Sequence, residues 1–540
     1  MRPLGTRSRS PSSARAVEGV PVEWRNPLGK HFTLTSAVML NASQLIGTSF
    51  LVHARIGVFS VAGPIVKSTG SVGMLLLYWI IGPAFALVSL AIYNEYGSTF
   101  PDRSGGEVVY LEQAYPQPRL LVSTTYAFNK LLSSGIAVNA IVFSQYFIHV
   151  LGQDWSAGRQ TVIATLLVVC AMTIVGGSTK WAIRLVNVST FVKFLVLVFI
   201  VATGIAIFAG WTSIQDPWDN FRHPFEGSTT NPSSLATALV KISYTFAGGS
   251  TAYNVLAEVQ GGAPTARRAG YIAVGLVSVL FFLVNVAYVA ALPKAEIEGS
   301  GQLVAAVFFR KVFGDGVAGK AFPTLIACGS IGIWLASTSL FERPRALREI
   351  ARQGLLPFSA FFASVRPFGT PLAPLVLKFV ITAFIVIIAP AGDAANLLWD
   401  LSSYPYLMFD VALAVGVWVL RSRRDKEGLP AAGTPARDAV VVLFLLHAVF
   451  MLVMPWVPPA EGRSDVSIWY ATYCVVGLGI LALCGLYYYV WIILLPRWGG
   501  YEIVEEVQEL EGGEKLRKLV RRYHADRRTE GEDETLLPPS

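Results

Sequence analysis

Apolar residues fall along this chain in blocks of twenty or more, not at alternating positions. VGMLLLYWIIGPAFALVSLAIY (72–93) and YIAVGLVSVLFFLVNVAYVAAL (271–292) are two such blocks. A hydrocarbon core about 30 Å thick takes roughly 20 apolar residues of helix, so each block predicts one membrane span. Twelve follow, near 33–66, 72–97, 120–151, 160–178, 184–209, 234–258, 269–292, 319–341, 371–390, 394–420, 438–456 and 468–495. The expected fold is an all-α polytopic membrane protein of twelve transmembrane helices. Residues 1–30 are polar, lack the apolar run of a signal peptide, and read as a disordered cytoplasmic tail. The apolar domain occupies 31–495. Residues 496–540 read as a charged cytoplasmic tail, solvated in preference to forming a short amphipathic helix.

Composition agrees with this class. The chain is 53% hydrophobic and 14% charged, where soluble domains carry about 25% charged residues. Lys and Arg set the orientation, because they concentrate in cytoplasmic loops. Arg103, Arg119, Lys180, Arg184, Arg267, Arg268, Arg343, Arg345, Arg348, Arg352, Arg421, Arg423, Arg424 and Lys426 fall in loops on one side. The other side is leaner, with Lys67, Arg159, Arg222, a small group at 294–320, and Arg463. Both termini are therefore expected in the cytoplasm. The net charge of +8 expresses this asymmetry and requires no nucleic acid.

Catalytic and metal chemistry find no support. Cys170, Cys328, Cys474 and Cys484 lie inside apolar runs without CxxC or metal spacing. The six histidines form no HExxH pair. SGGE (104–107) lacks the Lys-Ser/Thr of a phosphate loop, and no GxSxG elbow stands in a suitable context. No enzyme, cofactor or metal is expected. The triplets NAS (41–43) and NVS (187–189) lie within spans and should be unmodified.

Twelve spans suit a transporter, and the small residues point to where it works. Irregular backbone survives in a membrane only where it lines a cavity. The first span is interrupted around IGT and GVFS, and the sixth at TFAGGSTAYN (245–254), five helices later. Interrupted helices at matching positions of two halves mark an inverted-repeat transporter, whose half-helix ends hold the substrate's polar groups. The competing reading is that these glycines only permit close helix packing.

GVFSVAGPIVKSTGSVG and EYGSTFPDRSGGEVVYLEQAYPQP resemble the first spans and first inner loop of amino-acid permeases in the L-type branch of the amino acid–polyamine–organocation superfamily. EIARQGLLPFSAFFASVRPFGTPLAP and APAGDAANLLWDLSSYPYLMFD resemble the fungal high-affinity methionine permeases in particular. The likeness covers about 30–495. It implies the LeuT-type fold, a 5+5 inverted repeat with broken helices 1 and 6 plus two peripheral helices. It also implies import of a neutral L-amino acid.

In such permeases the first span reads IG[TS]GxFS, an unwound turn that binds the amino-acid head. Here IGT (46–48) and GVFS (57–60) are separated by SFLVHARI (49–56). Phe32 to Val66 is 35 residues, about 52 Å if helical, and about 40 Å without the eight. A splice-boundary error in deriving the chain, a genuine and inactivating variant, and a functional lid using His53 are the three readings. Arg55 near the bilayer centre costs about 2.5–3.5 kcal/mol and would compete for the substrate carboxylate, so the insert is expected to damage transport.

The expected head-binding residues are Gly47, Thr48 and Gly57 from span 1, and Phe246, Ala247, Gly248 and Gly249 from span 6, with Phe246 closing over the substrate. Tyr253 and Asn254 support the break. Lys193, mid-way along STFVKFLVLVF, is a coupling candidate that braces span 1 against span 5, in the place where many relatives of this resemblance hold sodium or a Lys. Glu258 either pairs across the inner gate or marks a helix end. Glu95 reads as a structural hydrogen-bond acceptor, Lys130 and Lys241 as snorkelling, and Asp400 and Asp410 as structural.

The resulting expectation is a plasma-membrane importer of methionine or a related neutral amino acid, coupled to protons and working by alternating access. The partners are an amino acid, a proton and the lipid bilayer. A disulfide-linked heavy chain is not expected, since no cysteine falls in an outer loop. The alternatives are a neutral amino-acid exchanger of different specificity and a transport-inactive nutrient-sensing paralogue.

Overall fold

In the computed structural model, the described residues are 28–51, 58–59, 61–132, 144, 148, 156–300, 304–314, 338–356, 358–366, 368–388, 393–458, 471–509 and 515–523. Helices α1 (Leu34–Leu51) and α2 (Ala62–Thr69) share the first apolar block. Helix α2 closes on Gly70, whose φ of +75° lets its N–H reach the Val66 carbonyl at 2.7 Å. Ser71 then caps α3 (Val72–Thr99) through its hydroxyl and the Met74 N–H at 3.3 Å. Helices α4 (Glu107–Ala114), α5 (Leu121–Leu132), α6 (Ala157–Gly177) and α7 (Thr179–Phe208) follow.

Helix α8 (Pro232–Thr245) starts on an Asn231 cap with Pro at the first turn, where a missing N–H costs nothing. A 3-10 segment, Thr251–Glu258, precedes α9 (Gly262–Ala291). The chain continues through α10 (Val304–Phe313), α11 (Thr338–Arg352), α12 (Leu372–Ile388), α13 (Asp393–Lys426), α14 (Asp438–Val453) and α15 (Thr472–Tyr488).

Among the described residues six helical stretches are long and apolar enough to cross a bilayer: Val72–Thr99, Thr179–Phe208, Gly262–Ala291, Tyr404–Lys426, Asp438–Trp456 and Cys474–Gly499. The expected third span is helical over Leu121–Leu132, and its remainder falls almost entirely outside the described residues. So does the expected eighth span before residue 338.

Two apolar clusters hold the bundle together. One gathers Leu45, Trp79, Leu197, Phe246 and Phe281 from α1, α3, α7, the turn after α8, and α9. The other gathers Tyr96, Tyr110, Tyr126, Leu256, Leu347 and Leu413 from α3, α4, α5, the 3-10 segment, α11 and α13. Helices approach closely where side chains are small: a Cβ on Gly204 of α7 would stand 2.6 Å from the Ala287 Cβ of α9. Leu166, Phe191, Leu446 and Leu483 remain exposed on α6, α7, α14 and α15, the faces that lipid would cover.

The C-terminal segment departs from the solvated tail expected of it. Tyr501–Glu509 (β1) and Lys515–Tyr523 (β2) pair as an antiparallel hairpin. The reason lies in the charge pattern, since the acidic strand meets the basic one: Glu502 opposes Arg522, Glu506 opposes Lys518, and Glu509 opposes Lys515. Arg119 anchors the hairpin to the helical domain by donating to the Ile503 carbonyl at 3.1 Å.

Candidate functional site

The helical ladder stops at Thr245 and resumes at Thr251 as a 3-10 segment, so residues 246–250 form an open turn in the middle of an apolar region. Gly248 makes the turn possible with φ of +118°. Its Cα also lies hard against α1, where an added Cβ would come within 2.4 Å of the Gln44 Cγ. Gly249 faces the other way, 2.6 Å from Val274 of α9 by the same measure. Ala247 is exposed at the turn. The break after α8 is therefore pressed directly onto α1, held there by glycine.

Helix α1 supplies the polar groups that organise the break. Asn41 is fully buried, and its Oδ1 accepts from the Ala252 N–H at 2.8 Å, which caps the 3-10 segment from the neighbouring helix. Such an acceptor replaces the carbonyl that an unbroken helix would have provided. The Thr251 hydroxyl donates to the Gly248 carbonyl at 2.7 Å.

The first-span residues are placed differently from expectation. The α-helix runs on through Gly47 and Thr48 to Leu51, so IGT is helical and not the start of an unwound turn. The next described helix begins at Ala62. The eight extra residues account for this: they lengthen the apolar run, and propagation of a helix in such a run adds one backbone hydrogen bond per residue. Of the insert, only Ser49–Leu51 have a described backbone; His53, Arg55 and Gly57 lie outside the described residues.

Phe246 also departs from its expected role. It is 3% exposed and wedged between Trp79 and Phe281, with ring centroids 5.8 Å from each. An added Cβ on Gly82 would touch its ring. The ring is committed to packing against α3 and α9, which leaves it unable to close over the turn.

Tyr253 and Asn254 tie the 3-10 segment to α3 and to the loop before α4. Tyr253 is buried against Gly97 of α3, and its hydroxyl donates to Asn94. The Asn254 carbonyl accepts from Gly105 N–H at 2.9 Å, and the Asn254 side chain fills the space that a Cβ on Gly106 would need. SGGE therefore uses its glycines for contact with the break.

Lys193 on α7 is 5% exposed and reaches α1, donating to the Ser43 carbonyl at 3.4 Å and the Ser43 hydroxyl at 3.3 Å. One turn away, the Thr190 hydroxyl faces the Met39 carbonyl at 3.3 Å, and Asn187 donates to Ser36 at 3.2 Å. The brace between these helices is a polar ladder with the ammonium at its deep end.

Beyond the 3-10 segment, buried ion pairs join its end to the neighbouring helices. Glu258, fully buried at the end of the 3-10 segment, receives both Arg345 of α11 Nε and, at 2.9 Å, a second guanidinium nitrogen. Arg103 bridges Glu112 at 2.7 Å and Glu349 at 2.6 Å, and Arg352 adds a bond to Glu349 at 2.8 Å. Burial pushes the Glu349 carboxyl up, but Arg352, Arg103 and Arg348 outweigh it and bring the group from 4.5 down to about 2. Glu95 holds Arg421 through two bonds of 2.7 Å and accepts from Ala436 N–H, the structural role expected of it.

Sequence reasoning missed Asn41, Arg345, Glu107 and Lys378. The signal for Lys378 was present, since LVLKFVITAF puts a Lys inside an apolar block. It is 1% exposed and donates to the Leu131 carbonyl at 2.7 Å, at the C-terminal end of α5. Lys130 does not snorkel: it is 6% exposed, because Tyr126 and Tyr406 offer their ring faces at 5.8 and 5.4 Å.

A helical membrane bundle with an interrupted helix at its centre is the architecture of a transporter. The profile of the amino acid permease family matches residues 32–481, and the chain belongs to that family. It is 31% identical to the high-affinity methionine permease of Saccharomyces cerevisiae, over 88% of this chain and 82% of that protein. It is 27% identical to the low-affinity methionine permease of the same yeast, over 90% and 87%. The human large neutral amino acids transporter small subunit 2 is 26% identical, over 88% and 84%. The chain is thus an integral membrane transporter and not an enzyme.

Proposed function

We infer that this permease imports methionine or a related neutral L-amino acid across the plasma membrane, with both termini in the cytoplasm. One observation carries the reading: the turn at 246–250 breaks the helical ladder of backbone donors and acceptors within an apolar region and packs against the Gln44 side chain of α1. A zwitterionic head needs such donors and acceptors, and half-helix ends supply them with matching partial charge. The names of the yeast relatives favour methionine. On this reading the chain has twelve spans in a LeuT-type repeat and alternates access around the break. Proton symport follows if Lys193 holds α7 to α1 when charged and releases it when neutral. No disulfide-linked heavy chain takes part.

A second reading has its own support. The helical run through Thr48 replaces the open turn that a first span would contribute. A chain altered there suits a transport-inactive sensor, or an exchanger of different specificity.

Binding tests the shared claim. Purified protein, with and without Ser49–Ile56, is assayed for labelled methionine binding by scintillation proximity. Saturable binding competed by neutral amino acids, and not by lysine or glutamate, is expected. No saturable binding in either form would overturn the methionine reading.

A further inference from the structure

A cavity of about 450 Å³ opens where the C-terminal hairpin meets the helical domain. Leu120, Ile492, Ile493 and Ile503 give it apolar walls, and Arg119, Arg497 and Glu502 bring charge to it. Neither the break nor the buried ion pairs use any of these groups.

The backbone departs from regular geometry on two sides of this space. The helix that continues α15 widens into a π-helical turn over Tyr489–Leu494, which carries Ile492 and Ile493. Such turns are rare and fall frequently at functional sites. Across the cavity Leu120 adopts φ of +65°, a left-handed conformation uncommon for a bulky residue. Tyr488 holds that side in place by donating to the Arg119 carbonyl at 3.0 Å, while the Arg119 guanidinium donates to the Ile503 carbonyl.

Depth in the membrane decides what can enter. Ile492, Ile493 and Pro496 belong to the stretch Cys474–Gly499, one of the six long and apolar enough to cross a bilayer. Trp498, near the end of that stretch, is exposed, and tryptophan favours the boundary between acyl chains and water. Strand β2 also touches the short helix Ser359–Ala363, around which Phe358, Phe361 and Phe368 stand exposed. The apolar walls thus open at lipid depth, and the guanidiniums stand at the depth of phospholipid headgroups.

The charges at this boundary are unequal. Within 501–505 and the paired 519–523, Glu502 and Glu505 are matched by Arg521 and Arg522. Residues 115–132 and 472–499, which form the other walls, contain no Asp or Glu. Arg119 and Arg497 are therefore in surplus, and Arg497 makes no hydrogen bond or ion pair among the described residues.

We propose that this cavity binds one anionic phospholipid, with its phosphate between Arg119 and Arg497 and an acyl chain along Ile492 and Ile493. Arginine suits the task because its planar fork pairs with two phosphate oxygens at once. A lipid bound there ties the hairpin to the end of the helical domain. The site stands whichever amino acid the protein carries.

Native mass spectrometry of the purified full chain counts bound lipid during titration with phosphatidylserine or with phosphatidylcholine of the same acyl chains. One phosphatidylserine per chain is expected to bind at least about tenfold more tightly than phosphatidylcholine. Arg119→Gln combined with Arg497→Gln should abolish that preference. Hydrogen exchange then locates the lipid: phosphatidylserine should slow exchange at residues 501–505 in the wild type and not in the double variant. Exchange across α3 and α9 should be the same in both proteins, which separates loss of the site from loss of the fold. Equal affinity for the two lipids, or a preference that survives both substitutions, would overturn the site. So would protection by phosphatidylserine that leaves residues 501–505 unchanged. Inorganic phosphate at millimolar concentration distinguishes the sources of the anion. It should leave the bound phosphatidylserine in place, and full displacement would make a soluble phosphate the ligand and defeat the lipid assignment.

Discussion

Gly248 sits where a side chain has no room and where most backbones are strained. Its φ of +118° costs a non-glycine residue about 1–3 kcal/mol, and a Cβ would collide with Gln44. Gly248→Ala is therefore expected to lower methionine affinity roughly tenfold or more without removing the protein from the surface. Unchanged binding would show that the turn is not the site. Lys193→Met removes the charge-assisted bonds to Ser43, each worth about 1.5–3 kcal/mol. Initial uptake rates should fall at least about tenfold while expression holds. Glu349 gives a prediction with a sign. Its carboxyl is held at about 2 in the fold against 4.5 ordinarily. A lowered carboxylate contributes stability that is complete above the unfolded value and is lost as pH falls through the folded one. Glu349→Gln should lower the melting temperature at neutral pH, and the gap to wild type should shrink below about pH 4.5. A gap that stays constant with acidification contradicts the assignment.

The elements that position the site owe their shape to local chemistry and to neighbours in unequal parts. The apolar blocks at 72–93 and 271–292 predicted α3 and α9 because a length of twenty apolar residues is a property of each segment alone. The break at 246–250 was visible for the same reason, since adjacent glycines interrupt a helix wherever they lie. Phe246 was not, because its place between Trp79 and Phe281 depends on two distant helices. Nor was Asn41, which read as a glycosylation triplet and turned out to cap Ala252 across the bundle. The hairpin at 501–523 was hidden by its charge: each strand alone looks like a solvated tail, and only pairing opposes Glu506 to Lys518. Arg345 illustrates a buried ion pair at this scale. Removing one partner of a buried pair typically costs about 3–5 kcal/mol, so Glu258→Gln should lower thermal stability sharply. Combining it with Arg345→Met, which removes both charges, should restore part of the loss. No restoration would mean that the two residues do not act as a pair.

At the scale of the molecule, the account joins three devices around one break. A polar ladder from α7 holds α1, Gly248 seats the turn after α8 on the same helix, and buried ion pairs tie Glu258 and Glu349 to their neighbours. The family assignment makes this arrangement a transporter, and on the reading proposed above the eight residues at 49–56 impair it. They carry the α1 helix past the point where an open turn would face Gly248. Labelled methionine uptake at acidic pH in permease-deficient yeast compares the full chain with one lacking Ser49–Ile56, both first shown to reach the surface. The account predicts import by the shortened chain and a marked deficit in the full one. Equal import by both would show that the insert folds clear of the site, and no methionine import by the shortened chain would contradict the assignment of this break as a methionine pathway.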